Sequence, residues 1–201
     1  GSTFWVFRAM LVADGEMPSS VPAPDMLGSL HPPFARVLRE LSKVARKNVV
    51  VLLVGPTGTG KEVLAKAIHG LSGRDGPFLA INTGAVQPNL VASELFGVEK
   101  GAHSMAEKSR AGLIRSASAG TLLLDEIGDM PIMAQAKLLG FLQTKEYSPL
   151  GEAQARKADV RIIAATNVDL GEAERERRFR EDLLVRLNVV SVRGPPLAER
   201  R

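Results

Sequence analysis

Eight residues near position 55 carry the most specific chemistry in the chain: Gly55, Pro56, Thr57, Gly58, Thr59, Gly60, Lys61 and Glu62. The three glycines permit a backbone with positive φ that lies close against a ligand. Amides of such a loop point inward and can cradle phosphate oxygens, and a following helix adds the positive end of its dipole. Lys61 is spaced to reach β- and γ-phosphates, and the pattern fits G-x4-G-K, the phosphate loop of nucleotide-binding proteins. An ordinary glycine-rich turn is the alternative, but the strand-like run before it and the helical pattern after it favour the phosphate loop. Position 62 is Glu, where the general form of this loop has a magnesium-binding Ser or Thr.

A second constellation closes the apolar run in GTLLLDEIGDM (120–130). Alone, an acidic pair after a strand is more often a solvated turn. Downstream of a phosphate loop, Asp125 suits Mg²⁺, bound directly or through water, and Glu126 suits a general base that polarises the attacking water. A third run, VRIIAATN (160–167), delivers Thr166 and Asn167 at its end. Asn167 would orient the water or touch the γ-phosphate, or simply form a turn. Arg180 and Arg186 stand in FREDLLVRL (179–187). An arginine supplied by a neighbouring molecule is worth ~10³–10⁵ in rate. The same stretch also reads as a solvated helix of alternating charge.

These residues can meet only if strands end at them. Val49–Val54 is a continuous β-branched and Leu run, as expected of a strand buried on both faces. Phe78–Ile81, Thr121–Leu124, Val160–Ala165 and Val189–Val192 are further strand candidates. Helical spacing marks 33–46, Lys61–Leu71, Asn89–Phe96, Ala111–Ala117, Pro131–Gln143 and the charged Arg175–Leu184, with Val63, Leu64, Ala67, Ile68 and Leu71 on one face of the second. Five strands alternating with helices predict an α/β fold, a parallel sheet with helices on both faces. Ligands bind such sheets at the C-terminal strand edge.

Composition excludes several classes. The chain has 201 residues, 45% apolar and 24% charged, so it is not wholesale disordered. Seven Phe, one Trp and one Tyr leave the core to aliphatic residues and argue against an aromatic base-stacking surface. The absence of cysteine removes disulfides, thiolate zinc sites and thiol nucleophiles. A net charge of +4 without clustering is weak evidence for nucleic acid. Val49–Val54 is far shorter than the ~20 apolar residues of a membrane span. Phe4–Ala13 carries Arg8 inside it and makes a poor signal peptide. Residues 14–33 hold five of the twelve prolines and read as linker.

Taken together, GPTGTGKE, AINTGA (80–85), ELFGVEKGA (94–102), GTLLLDEIGDM, VRIIAATN and FREDLLVRLNV (179–189) resemble the central AAA+ domain of bacterial enhancer-binding proteins, the sigma-54-dependent transcription activators. The resemblance runs from about Leu27 to the C-terminus. It implies a P-loop NTPase, the α/β subdomain of an AAA+ ATPase with a five-stranded parallel sheet, cut before its helical lid. Residues 1–26 would be linker or the tail of an upstream segment, and 27–201 the ATPase subdomain. It implies ATP hydrolysis, weak in a lid-less fragment, with ATP/ADP and Mg²⁺ bound between subunits of a hexameric ring in the bacterial cytoplasm. DNA would be reached only through a domain outside this chain, and no membrane is involved.

In that family Glu follows the phosphate-loop lysine, so Glu62 fits. Lys61 is implied to bind phosphate, Asp125 magnesium, and Glu126 to activate water. Asn167 looks like the sensor I residue. Arg180 and Arg186 look like paired arginines acting in trans, and Asn82 like the residue that holds the catalytic Glu back. Sigma-54 activators carry GAFTGA at the loop that contacts sigma-54. This chain reads Gly101, Ala102, His103, Ser104, Met105, Ala106. Two functions follow: remodelling of sigma-54 RNA polymerase holoenzyme by a ring, or a sigma-54-independent transcription regulator that uses nucleotide to control its oligomerisation.

Overall fold

The structure, a computed structural model, describes residues 44–100, 109–188 and 190–193. The proline-rich start, most of the expected helix 33–46, the GAHSMA loop and the ending after 193 lie outside them. Strand β1 (Val51–Val54) leads through the glycine-rich loop into helix α1 (Lys61–Leu71). Strand β2 (Phe78–Asn82), helix α2 (Val91–Phe96) and the short strands β3 (Gly97–Val98) and β4 (Arg110–Ala111) follow. Next come α3 (Leu113–Ser116), β5 (Thr121–Asp125), a 3₁₀ turn (Ile127–Asp129) and α4 (Ile132–Thr144). The chain continues through β6 (Glu146–Tyr147), β7 (Arg156–Lys157), β8 (Arg161–Thr166), α5 (Leu170–Arg175), α6 (Glu181–Leu187) and β9 (Ser191–Arg193).

Among the described residues the main sheet has five strands in the order β2-β5-β8-β1-β9, all parallel. The expected five-stranded parallel sheet is therefore present. Side chains alternate across it with the period of two that a strand imposes. Leu52, Leu122, Leu124, Ile162 and Ala164 face one core with residues of α2 to α6. Val51, Leu53, Leu123, Ile163 and Ala165 face a smaller core with Ala45 and α1. Each fully buried aliphatic side chain contributes ~1.5–3 kcal/mol, enough to fix the register of every strand.

Three expectations need correction. The buried face of α1 centres on Leu64, Ala65 and Ile68, with Lys61 at its start, while Val63 and Ala67 are only half-buried. Ala111 is not helical: it pairs with Gly97 in β4, and the helix begins after Gly112. Arg175–Leu184 is not one helix. Asp169 caps α5, its carboxylate accepting from the amides of Gly171 and Glu172, so that helix starts earlier. The helix stops because Arg178 and Phe179 both return their amides to the Ala173 carbonyl, which turns the chain, and Arg177 takes φ 59°. Phe179, 2% exposed, drops into the core, and α6 restarts behind Arg180. The hydrophobic demand of one Phe outweighs the helical charge pattern around it.

Two antiparallel hairpins, β3–β4 and β6–β7, stand apart from the main sheet. Arg156 joins them, its guanidinium 2.9 Å from Glu99 and 2.7 Å from Glu152. No helix among the described residues is long and apolar enough to cross a membrane.

Candidate functional site

The glycine-rich loop opens at the C-terminal end of β1, where Gly58 (φ 80°) and Gly60 (φ 84°) hold the left-handed backbone that side-chain-bearing residues rarely adopt. The loop braces itself: the Thr59 hydroxyl donates to the Pro56 carbonyl at 2.8 Å, and the Gly55 amide donates to the Thr166 carbonyl at 3.1 Å. Lys61 begins α1 and is 8% exposed. Its ammonium donates to the carbonyls of Gly55 (2.9 Å) and Pro56 (3.3 Å), which holds it along the inside of the loop. Glu62 turns outward and pairs with Lys66 at 2.9 Å.

Parallel pairing sets the other groups at the same edge of the sheet as the loop. Asn82 is paired in register with Asp125, and Val54 with Thr166. Asp125 Oδ1 accepts from the Glu126 amide at 3.0 Å. Glu126 sits in the left-handed region (φ 50°, ψ 48°), a conformation of the kind that surrounding structure must enforce at functional sites. Its Oε2 accepts from the Asn167 amide at 3.3 Å, and Asn167 Nδ2 donates to Thr57 Oγ1 at 3.2 Å. Glu126, Asn167 and Thr57 thus form one chain of contacts from the acidic strand end to the phosphate loop. Asn82 Oδ1 instead accepts from the Gly84 and Ala85 amides at 2.9 and 3.1 Å.

Two residues that the sequence reading passed over hold this geometry. Thr83, 1% exposed, donates its hydroxyl toward the carbonyls of Glu126 (2.6 Å) and Asp125 (3.1 Å). Buried Gln135 donates to the Met130 (2.7 Å) and Arg178 (3.0 Å) carbonyls and accepts from the Arg180 amide (2.9 Å). AINTGA contained the first signal; nothing local marked the second. Arg186 is exposed and Arg180 half-buried. The Arg180 guanidinium binds Asp182 and, chiefly through that hydrogen bond, holds its carboxyl below the usual range. Arg186 donates to the Leu142 carbonyl at 3.3 Å. Neither lines the cleft beside the loop, so the structure does not bring them to their own phosphate loop.

That cleft, about 550 Å³, is lined by Val54, Gly55, Pro56, Asn167, Val168, Leu184 and their neighbours. Its volume and mixed apolar and polar walls suit a nucleoside. Among the described residues no group of three or more His, Asp or Glu side chains could hold a metal alone. One or two carboxylates beside a phosphate loop is the donor set that Mg²⁺ uses when phosphate and water complete its shell, so Asp125 fits that ion.

The Sigma-54 interaction domain family matches residues 28–193. The chain is 49% identical to the regulatory protein AtoC of Escherichia coli over 85% of its own length and 37% of that protein. It is 50% identical to the sigma54-dependent transcriptional activator SfnR of Pseudomonas putida over 82% of this chain and 45% of the relative. The structure of NtrX from Brucella abortus in complex with ATP superposes with a TM-score of 0.77 at 36% identity, covering 87% of this chain and 39% of that one. The chain spans less than half the length of each.

Proposed function

Because the chain belongs to the sigma-54 interaction domain family, the AAA+ domain of bacterial enhancer-binding proteins, we propose that it binds ATP with Mg²⁺ and hydrolyses it between subunits of a ring, remodelling sigma-54 RNA polymerase holoenzyme in the bacterial cytoplasm. One observation carries the reading: the ends of β1, β5 and β8 bring Lys61, Asp125, Glu126 and Asn167 to one edge, joined by the Glu126–Asn167–Thr57 contacts. The loop amides and Lys61 take the β- and γ-phosphates, and the adenosine half lies in the adjoining cleft. Asp125 holds Mg²⁺, which when bound offsets charge on the phosphate oxygens. Glu126 accepts the proton of the attacking water, and Asn167 aligns that water or the γ-phosphate.

Arg180 and Arg186, which do not line their own cleft, serve the site of a neighbouring copy, so turnover depends on assembly. Asn82 holds Glu126 back by donating from its Nδ2 to that carboxylate when the ring is not engaged, its Oδ1 being taken by the loop amides. The sigma-54-independent alternative has the loop sequence Gly101–Ala106 in its favour, while relatives named for sigma-54 dependence weigh against it.

The test is ATP binding and phosphate release at high protein concentration. Glu126→Gln retains ATP affinity within about two-fold and loses turnover by ~10²-fold or more. Lys61→Ala loses both. Unimpaired phosphate release in Glu126→Gln removes the general-base assignment. Recovery of sigma-54 holoenzyme on the protein with a transition-state analogue checks the partner.

A further inference from the structure

Asn167 has two attachments of different kinds. Its backbone amide donates to Glu126 Oε2 at 3.3 Å, and its side-chain amide donates to Thr57 Oγ1 at 3.2 Å. The loops carrying Thr57 and Asn167 are already joined through backbone by Gly55 and Thr166. The Thr57 contact is therefore additional to that join, and it is made by side chains alone. Both residues are exposed, so either side chain can turn away without opening the core.

We propose that Thr57 is a specificity-determining residue: its hydroxyl docks the Asn167 side-chain amide, competes with a γ-phosphate for it, and so sets how sharply the site separates nucleoside triphosphate from diphosphate. The inference rests on the nucleotide reading above and deepens it. One of the two Asn167 Nδ2 protons is given to Thr57, and that bond fixes the direction in which the amide points. A triphosphate recruits the amide by turning it off the Thr57 hydroxyl toward a phosphate oxygen, whereas a diphosphate has no group at that place and leaves the dock intact. The dock thus weakens only the ligand that must break it, and only such a differential interaction moves an equilibrium. A net hydrogen bond between neutral groups corresponds to a factor of about 2–10 in affinity.

The experiment measures affinities of the full 201-residue chain for ADP and for the β,γ-imido analogue of ATP, each with Mg²⁺, by competition with a fluorescent nucleotide. Thr57→Val is expected to shift the ratio about 2–10-fold toward the triphosphate analogue. Thr57→Ser, which keeps the hydroxyl, is expected to retain the wild-type ratio. In an Asn167→Ala background, Thr57→Val is expected to change nothing further, because the two act through one contact. A ratio that does not move, that moves toward ADP, or that moves equally without Asn167 overturns the proposal. If the wild-type chain binds neither nucleotide, the nucleotide reading falls with it; if it binds both and the ratio stays fixed, only the role of Thr57 falls.

Discussion

Arg161 and His69 occupy the N-terminal edge of the sheet, opposite the phosphate loop. Arg161 is 1% exposed and donates to the carbonyls of Ala45 and Val44, while its Nε has no partner among the described residues. Burial holds its guanidinium down to about 10. His69 Nδ1 lies 2.9 Å from the Thr121 hydroxyl. Burial first, then the charges of Arg74 and Arg161, hold its pKa below 6.5. The folded state thus favours neutral imidazole, so its stabilising contribution is complete above the unfolded pKa and is lost as pH falls through the folded one. Urea midpoints between pH 8 and pH 5 are expected to fall on the acid side, and less so in His69→Gln. Equal slopes in the two proteins would contradict this. The placement of Lys61, Asp125, Glu126 and Asn167 at one edge of the sheet was legible in the sequence because these residues lie at or just after strand ends. Arg161 was not, because its partners are backbone carbonyls 116 and 117 positions away, which no local pattern encodes.

At the scale of elements, the connection between α5 and α6 depends on Gln135, which satisfies two carbonyls and one amide across residues 130 to 180. Gln135→Leu keeps the volume but leaves those backbone groups unpaired inside the protein. It is expected to cost at least ~1–3 kcal/mol, read as a lower urea midpoint. An unchanged midpoint would mean that water or a rearranged turn replaces the side chain. Apolar runs such as VLLV and TLLLD marked the sheet strands well, since a buried parallel strand must be apolar on both faces. The two hairpins escaped notice for the opposite reason: strands of two residues, such as Gly97–Val98 and Arg156–Lys157, are too short to show a period. The split at Phe179 was hidden because alternating charges satisfy a helical pattern that tertiary burial overrides.

For the whole molecule, the place of Arg180 and Arg186 away from their own cleft carries the clearest consequence of the proposed ring. Lys61→Ala removes nucleotide binding from its own site, and Arg186→Ala removes the arginine offered to a neighbour; each alone is expected to lose ~10³-fold or more in turnover. Mixed together at high concentration, they are expected to recover part of it, since some interfaces then pair an intact loop with an intact arginine. Phosphate release that shows no recovery at any mixing ratio would place the arginines outside the reaction. The candidate site's parts were visible in one chain, but the neighbour proposed to complete it is a relation between chains, which a single sequence states only through resemblance. The strand order has a further bearing, on the sequence of folding events. β1 carries the phosphate loop, yet both strands that flank it, β8 and β9, are made more than a hundred residues later. During synthesis the backbone edges of β1 stay unpaired until nearly the whole domain has emerged, and the closure of such distant contacts is slow. The loop whose signature comes first along the chain is therefore among the last parts to acquire its working shape.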